Sequence, residues 1–447
     1  MSLNNFFFKQ FSFDTIDSWD VKKYLDNSLL FDNAVFLKDI LTYRKKLLSK
    51  EIVKENRWQI ISKINFSGEL FLRDVNEIET YKGNLYEVSS NNIIYSKINV
   101  RHGCVFYHEG EMPFAVSSEY PTFEINQNKV DGNYLKLLLR SSAFKELLDT
   151  KTSGISKARV KVDEFLNIKI PLPLLEEQIK LVKKYTIKIA LAEKQEKEAK
   201  EIEESLEIFF NNEIGLEVIE EESNKNTLLK IFNYEDLDTW GVDKLYIQEG
   251  IRYTKNYPTK PINTICQVSS GGTPSRSRKE YYGGSIPWVK TGEVVNEVIY
   301  DTQEKITEEA IHNSSAKLYK KGSLIIAMYG QGLTRGRTAK LGVDASTNQA
   351  CAVLSNIDNK LVLTDYLWFY LMNEYHRLRD MASGNSQPNL NAQMIKGYKV
   401  VIPPFDIQEK IIEEISSRKE KIKQLLAEAL QNREDAIKEF EEEIFTI

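Results

Sequence analysis

The feature that most constrains this chain is a stretch it writes twice. Pro173, Gln178, Phe210, Glu213 and Ile214 recur as Pro403, Gln408, Phe440, Glu443 and Ile444, each pair 230 positions apart. Each copy opens on prolines, Pro171-Leu172-Pro173 and Pro403-Pro404, and then becomes a long, charged, helix-favouring segment. Proline suits the first turn of a helix, where its missing amide donor costs nothing, so helices are expected to begin near Leu174 and Phe405.

An apolar seam at roughly heptad spacing runs along each segment. In the first it comprises Leu175, Val182, Tyr185, Ile189, Ala192, Ala199, Ile202, Leu206, Phe209 and Phe210, with Glu and Lys on the other faces. In the second it comprises Ile412, Ile415, Ile422, Leu426, Ala429, Ala436, Phe440 and Ile444. A helix of about 40 residues is roughly 60 Å long, more than a globular domain needs, and the simplest way to bury two such seams is against each other.

The duplication extends beyond the helices. Ser18-Trp19-Asp20-Val21 is echoed by Thr239-Trp240-Gly241-Val242, Ala115 with Ser117 by Ala345 with Thr347, and Ser153-Gly154 by Ser383-Gly384. The unit is therefore a globular domain followed by a long helix, made twice. Boundaries are expected at 1–173, 174–234, 235–404 and 405–447, with the acidic, polar run Glu217 to Asn226 as the linker. Short runs such as Ile60 to Ile64, Leu85 to Val88, Ile93 to Ile98, Ile286 to Val289, Leu324 to Met328 and Cys351 to Leu354 read as strands. Tyr134 to Leu148 and Tyr366 to Met381 read as matching helices, which makes each domain mixed α/β.

Charge is unevenly placed. The net charge is −5, but counting Lys and Arg against Asp and Glu gives +2 for 1–173 and +3 for 235–404, against −5 for each helical arm. Two mildly basic domains could each neutralise a few phosphates. No run approaches a membrane span, so a cytoplasmic protein without a membrane partner is expected. Cys104, Cys266 and Cys351 are isolated, and no spaced ligand pairs suggest a metal. There is no phosphate loop, no nucleophile–histidine arrangement and no methyltransferase loop, so neither catalysis nor a cofactor is expected.

Two loops combine glycine, hydroxyls, cations and aromatics, the chemistry of phosphate and base-edge contact. One contains Gly271-Gly272-Thr273-Pro274-Ser275-Arg276-Ser277-Arg278 and continues to Ile286-Pro287-Trp288-Val289-Lys290; the other runs from Tyr329 through Gln331, Arg335 and Arg337. In the first domain, Lys97 and Arg101 hold roughly the corresponding place. Candidate DNA contacts are Lys97, Arg101, Thr273, Ser275, Arg276, Arg278, Lys290, Tyr329, Gln331, Arg335, Arg337 and Asn348.

These strings, with Thr347-Asn348-Gln349, Gln387-Pro388-Asn389-Leu390-Asn391 and the doubled proline-to-helix junction, resemble the specificity subunits of Type I restriction-modification systems along nearly the whole chain. The resemblance implies two similar mixed α/β target-recognition domains separated by two long antiparallel-paired helices. Each domain would read one half of a split site in double-stranded DNA. The helical seam residues Leu175, Val182, Ile189, Ile202, Leu206, Phe210, Ile412, Ile415, Ile422, Leu426 and Phe440 would serve docking of modification (methyltransferase) subunits, with restriction (motor-nuclease) subunits completing the assembly. The first domain lacks a Gly-Gly-Thr-Pro string, a departure from the second. A stand-alone DNA-binding regulator and a coiled-coil scaffold stay open as other readings.

Overall fold

The structure, a computed structural model, describes residues 34–73, 78, 81–151, 159–216, 256–330, 332–381 and 389–445. The chain divides into two compact units. One comprises 1–196 with 426–447, the other 197–425. The first unit thus takes in the end of the C-terminal helix, and the second takes in the end of the central one.

In the first unit, four antiparallel strands lie in the order Leu41–Arg44, Thr122–Ile125, Asn92–Tyr95 and Val105–His108. Alternation along Asn92–Tyr95 sends Ile93 and Tyr95 into one core and Ile94 into another. The first core is covered by the helix Gly132–Arg140, by Phe165 and Ile168, and by Phe440 and Ile444 of the C-terminal helix. Behind the second core stands a five-stranded sheet that includes Gln59–Ile64 and Phe114–Val116, paired parallel.

The second unit repeats the plan. Gln267–Ser270, Cys351–Ser355, Leu324–Ala327 and Thr338–Leu341 follow the same order. Leu324 and Ile326 face one core and Ile325 the other. A short parallel pair recurs between Tyr282–Val289 and Ser346–Thr347. Phe210 of the central helix, with Ile214 and Leu216 just beyond its end, completes this unit's main core.

The duplicated glutamine explains the junction. Gln178 is fully buried; its amide oxygen accepts from Asp131 N at 2.9 Å, and its nitrogen donates to Lys129 O at 3.0 Å and Pro173 O at 2.8 Å. Gln408 does the same with Leu363 N, Leu361 O and Pro403 O. Tyr134 and Tyr366 donate to Pro171 O and Val401 O. Each long helix is therefore tied at its first turn to the domain before it.

The long helices span Leu175–Glu213 and Phe405–Phe445. Within the first unit they run antiparallel, through Lys184–Glu443 and Lys188–Glu439, both at 2.6 Å, and Glu196–Arg433 at 2.9 Å. Within the second, Glu213–Lys410 at 2.7 Å and Ser205–Arg418 at 3.0 Å keep the same direction.

Some sequence boundaries are corrected. The helix expected over 134–148 is two, Gly132–Arg140 and Ser142–Lys151, because extended Ser141 turns its hydroxyl to Leu138 O and accepts from Phe144 N. The helix expected over 366–381 likewise breaks at Glu374 into Thr364–Asn373 and Tyr375–Asp380. The strand expected to reach Ile98 ends at Tyr95, where Ser96 N turns onto Cys104 O. The repeated Trp19 and Trp240, the run Glu217 to Asn226, Ser153-Gly154, Ser383-Gly384 and Gln387-Pro388 lie outside the described residues.

Candidate nucleic-acid interface

The family-like strings of the second unit meet in space. Gly272 N donates to Thr347 O at 2.8 Å, the Trp288 indole donates to Gly272 O at 3.1 Å, and Thr273 bonds to Gln349. Leu390 N reaches Met328 O at 3.1 Å. A Cβ on Gly271 would lie 2.1 Å from Thr347 Oγ1 and 2.3 Å from its carbonyl oxygen, so only glycine lets these loops close. The strings first build a rigid platform. Asn348 belongs to it, since its side chain accepts from Ala350 N at 3.2 Å.

Cations stand around this platform. Arg276 grips Glu304 with two nitrogens, while its guanidinium lies over the rings of Tyr282, at 4.4 Å, and Trp288, at 5.3 Å. Lys290 reaches the same carboxylate at 2.9 Å. Arg276, then Lys290, pulls the Glu304 carboxyl down to about 2 by hydrogen bonding to its ionised form. Arg278 pairs with Glu280 at 3.5 Å, and Ser275 bonds to Ser277. All but Lys290 of these candidates are exposed.

The loop after Leu324–Ala327 docks on the helix Tyr375–Asp380. Tyr375 donates to Leu333 O at 2.7 Å, and Arg379 donates to Arg335 O at 3.2 Å. Arg335, Arg337 and Arg379 thereby share one region, with Tyr329 and Leu333 exposed beside them. Gln331 lies outside the described residues.

In the first unit, Lys97 and Arg101 sit between Asn92–Tyr95 and Val105–His108, the same two strands of the four-stranded order. Lys97 is stitched through its backbone to Glu119 O and Val160 N, and Arg101 lies in the one-turn helix Val100–His102. Beside them is the tip of a hairpin. Phe66 is 62% exposed, its ring 5.0 Å from His102, and Arg140 holds the tip through Ser67 O. An open polar cleft of about 1000 Å³, lined by Arg44, Lys45, Lys46, Asn91, Asn126 and Asn128 among others, lies toward the start of Asn92–Tyr95.

The cysteines and His108 are engaged within the fold. The three cysteines are buried, and burial pushes the thiols of Cys266 and Cys351 up to about 12. His108 bonds to Met112 O at 2.9 Å. Among the described residues no group of His, Cys, Asp and Glu converges as metal ligands, and no helix is long and apolar enough to cross a membrane.

A family model, the Type I restriction modification DNA specificity domain, matches this chain twice, over residues 33–204 and 254–432. The chain belongs to that specificity family. Curated relatives include the Type I restriction enzyme MjaIX specificity subunit of Methanocaldococcus jannaschii, 30% identical over 35% of this chain and 36% of the relative. The EcoR124I/EcoR124II specificity subunit of Escherichia coli is 26% identical over 34% and 39%. The matches therefore span little more than a third of these first relatives. The MjaVIII specificity subunit of M. jannaschii is 27% identical over 68% of this chain and 67% of its own. A solved chain, described under the structural basis of complex assembly and conformational transition of the type I R-M system, shares the fold with a TM-score of 0.57 at 16% identity, covering 92% of this chain and 96% of that one.

Within this Type I specificity chain, the helical residues also find their places. Phe210, Phe440 and Ile415 are buried; Leu175, Val182, Ile189, Ile202, Leu206, Ile412 and Ile422 are half-buried; Leu426 is exposed. Leu181, Ile411 and Leu425 are buried at positions adjacent to expected seam residues. Sequence reasoning missed Glu304, Arg379, Arg140 and Phe66. Glu304 carries no local signal, because its partner Arg276 is 28 positions away.

Proposed function

We propose that this chain reads a split DNA target, one half with each domain, and brings modification and restriction subunits to it without doing chemistry itself. The observation that carries the reading is the equivalence of two loops. The same strand-to-strand connection presents Lys97 and Arg101 in one unit and Tyr329, Arg335 and Arg337 in the other. One scaffold with two different sets of cations and hydrogen-bonding side chains suits two unlike half-sites. Each bidentate contact to a base edge is worth about 1–3 kcal/mol of discrimination, so a few such residues per domain suffice.

Within that reading, Lys97, Arg101, Arg276, Arg278, Lys290, Arg335 and Arg337 approach the duplex. Thr273, Ser275, Tyr329, Gln331 and Asn348 support or extend those contacts. Phe66, exposed beside Arg101 and His102, supplies an apolar face against a sugar or base. The helices supply the docking face. Their seam residues are largely engaged within the chain, whereas Ile187, Leu191, Leu430 and Ile437 remain exposed in the first unit and fit a helical partner.

The test is base-modification sequencing of DNA from cells that express this chain with its modification subunit, against cells that express that subunit alone. Methylated adenines confined to one split motif, and only with this chain present, are expected. A folded, associated pair that leaves no motif-dependent methylation would favour the scaffold reading.

A further inference from the structure

One group outside the expected contacts, the Glu304 carboxylate, is a meeting point of charge. Two cations from different segments, Arg276 and Lys290, converge on it. The support beneath is rigid: Trp288 is 2% exposed, its indole is tied to Gly272 O, and its backbone N accepts no freedom, donating to Thr302 Oγ1 at 3.0 Å and Glu304 O at 3.1 Å. The cluster is open to solvent, since the Arg276, Lys290 and Glu304 side chains are 56%, 36% and 29% exposed. A planar carboxylate held by a guanidinium fork and an ammonium is the arrangement these cations would otherwise offer a phosphate.

We propose that Glu304 is a brake on non-specific DNA binding, an internal anion that occupies the Arg276–Lys290 pair until a matching half-site takes its place. This rests on the DNA-reading function proposed above. Non-specific affinity comes from cations that release counterions from the duplex, and a cation already paired inside the protein contributes little to it. The brake cannot be released by ordinary changes of pH, because the same two cations hold the carboxyl down at about 2. Release requires an exchange of partners. Only contacts elsewhere on the duplex, made when the sequence fits, hold a phosphate close enough to compete.

The experiment measures binding of the full chain to a random-sequence duplex across a salt series. E304Q is expected to bind about tenfold more tightly at low salt, and its slope of log K against log salt should steepen by about one to two, at roughly 0.9 per phosphate engaged. E304D should restore the wild-type slope. The double variant R276M/K290M should lower the wild-type slope by no more than about one, because the single Glu304 carboxylate cancels one of the two cation charges while the pair is braked. An unchanged or weaker E304Q that is still folded, by circular dichroism at the assay temperature, would overturn the proposal. So would a slope that falls by about two in R276M/K290M, which would mean that the pair already meets phosphates. The double variant decides the matter if E304Q does not fold. A wild-type chain that binds no duplex at low salt would count against DNA reading itself, a separate result.

Discussion

At the scale of the residue, the buried glutamines bear directly on stability. Each is itself fully buried and bridges three backbone groups of a part-buried junction. Gln178→Ala and Gln408→Ala should each cost about 3 kcal/mol, because three groups are stranded and each, being only part-buried, costs near the low end of about 1–3 kcal/mol. Urea unfolding of the full chain measures this. Glu304 sets a different dependence. Its folded-state pKa lies near 2, below the ordinary 4.5, so the stability it contributes is fully present above about pH 4.5 and is lost as pH falls toward 2. E304Q should remove that part of the acid transition, as seen in thermal melts between pH 5 and 2. The sequence announced the glutamines as a repeat but not their job, because their partners lie some 45 positions away in chain order. Arg276 was legible as a cation, whereas the partner that neutralises it was not.

At the scale of the element, the long helices were the most legible part of the fold. Proline start, apolar period and charge all agree, and the helices begin at Leu175 and Phe405. Their inner face was legible only to within one residue. Leu181, Ile411 and Leu425 are buried beside the expected Val182, Ile412 and Leu426, because each helix packs on a domain at its end as well as on its neighbour. Within the first unit, Ala192 and Ala436 are both buried, and the ion pairs Lys188–Glu439 and Glu196–Arg433 bracket them at one level. Small residues there let the backbones approach. Ala192→Leu should overpack this level and destabilise the chain by about 1–3 kcal/mol, measured by urea unfolding, with helical circular dichroism unchanged. The domain strands were less legible. Short, non-local pairings such as Gln59–Ile64 with Phe114–Val116 carry no periodic signature long enough to announce them.

At the scale of the whole molecule, the division into units has a consequence for function. Each globular part is completed by the end of a helix from the other repeat, by Phe440 and Ile444 in one core and by Phe210, with Ile214 just beyond the helix, in the other. Removal of residues 426–447 should therefore expose the first unit's core, and limited proteolysis should cut within 34–196 before 256–425. Because each unit has its own core and its own loop, the proposed reading predicts separable errors. R335A/R337A should relax methylation at one half of the split motif and leave the other half and the spacer intact; K97A/R101A should relax only the opposite half. Each lost bidentate base contact releases about 1–3 kcal/mol of discrimination, so formerly silent sequences at that half should rise about five- to hundredfold in methylation rate. A uniform fall at both halves would instead place these side chains on phosphates, since backbone contacts hold the duplex without naming its sequence. Modification sequencing of the two double variants separates these outcomes, because the pattern of relaxation, rather than the level of methylation, identifies which loop reads which half.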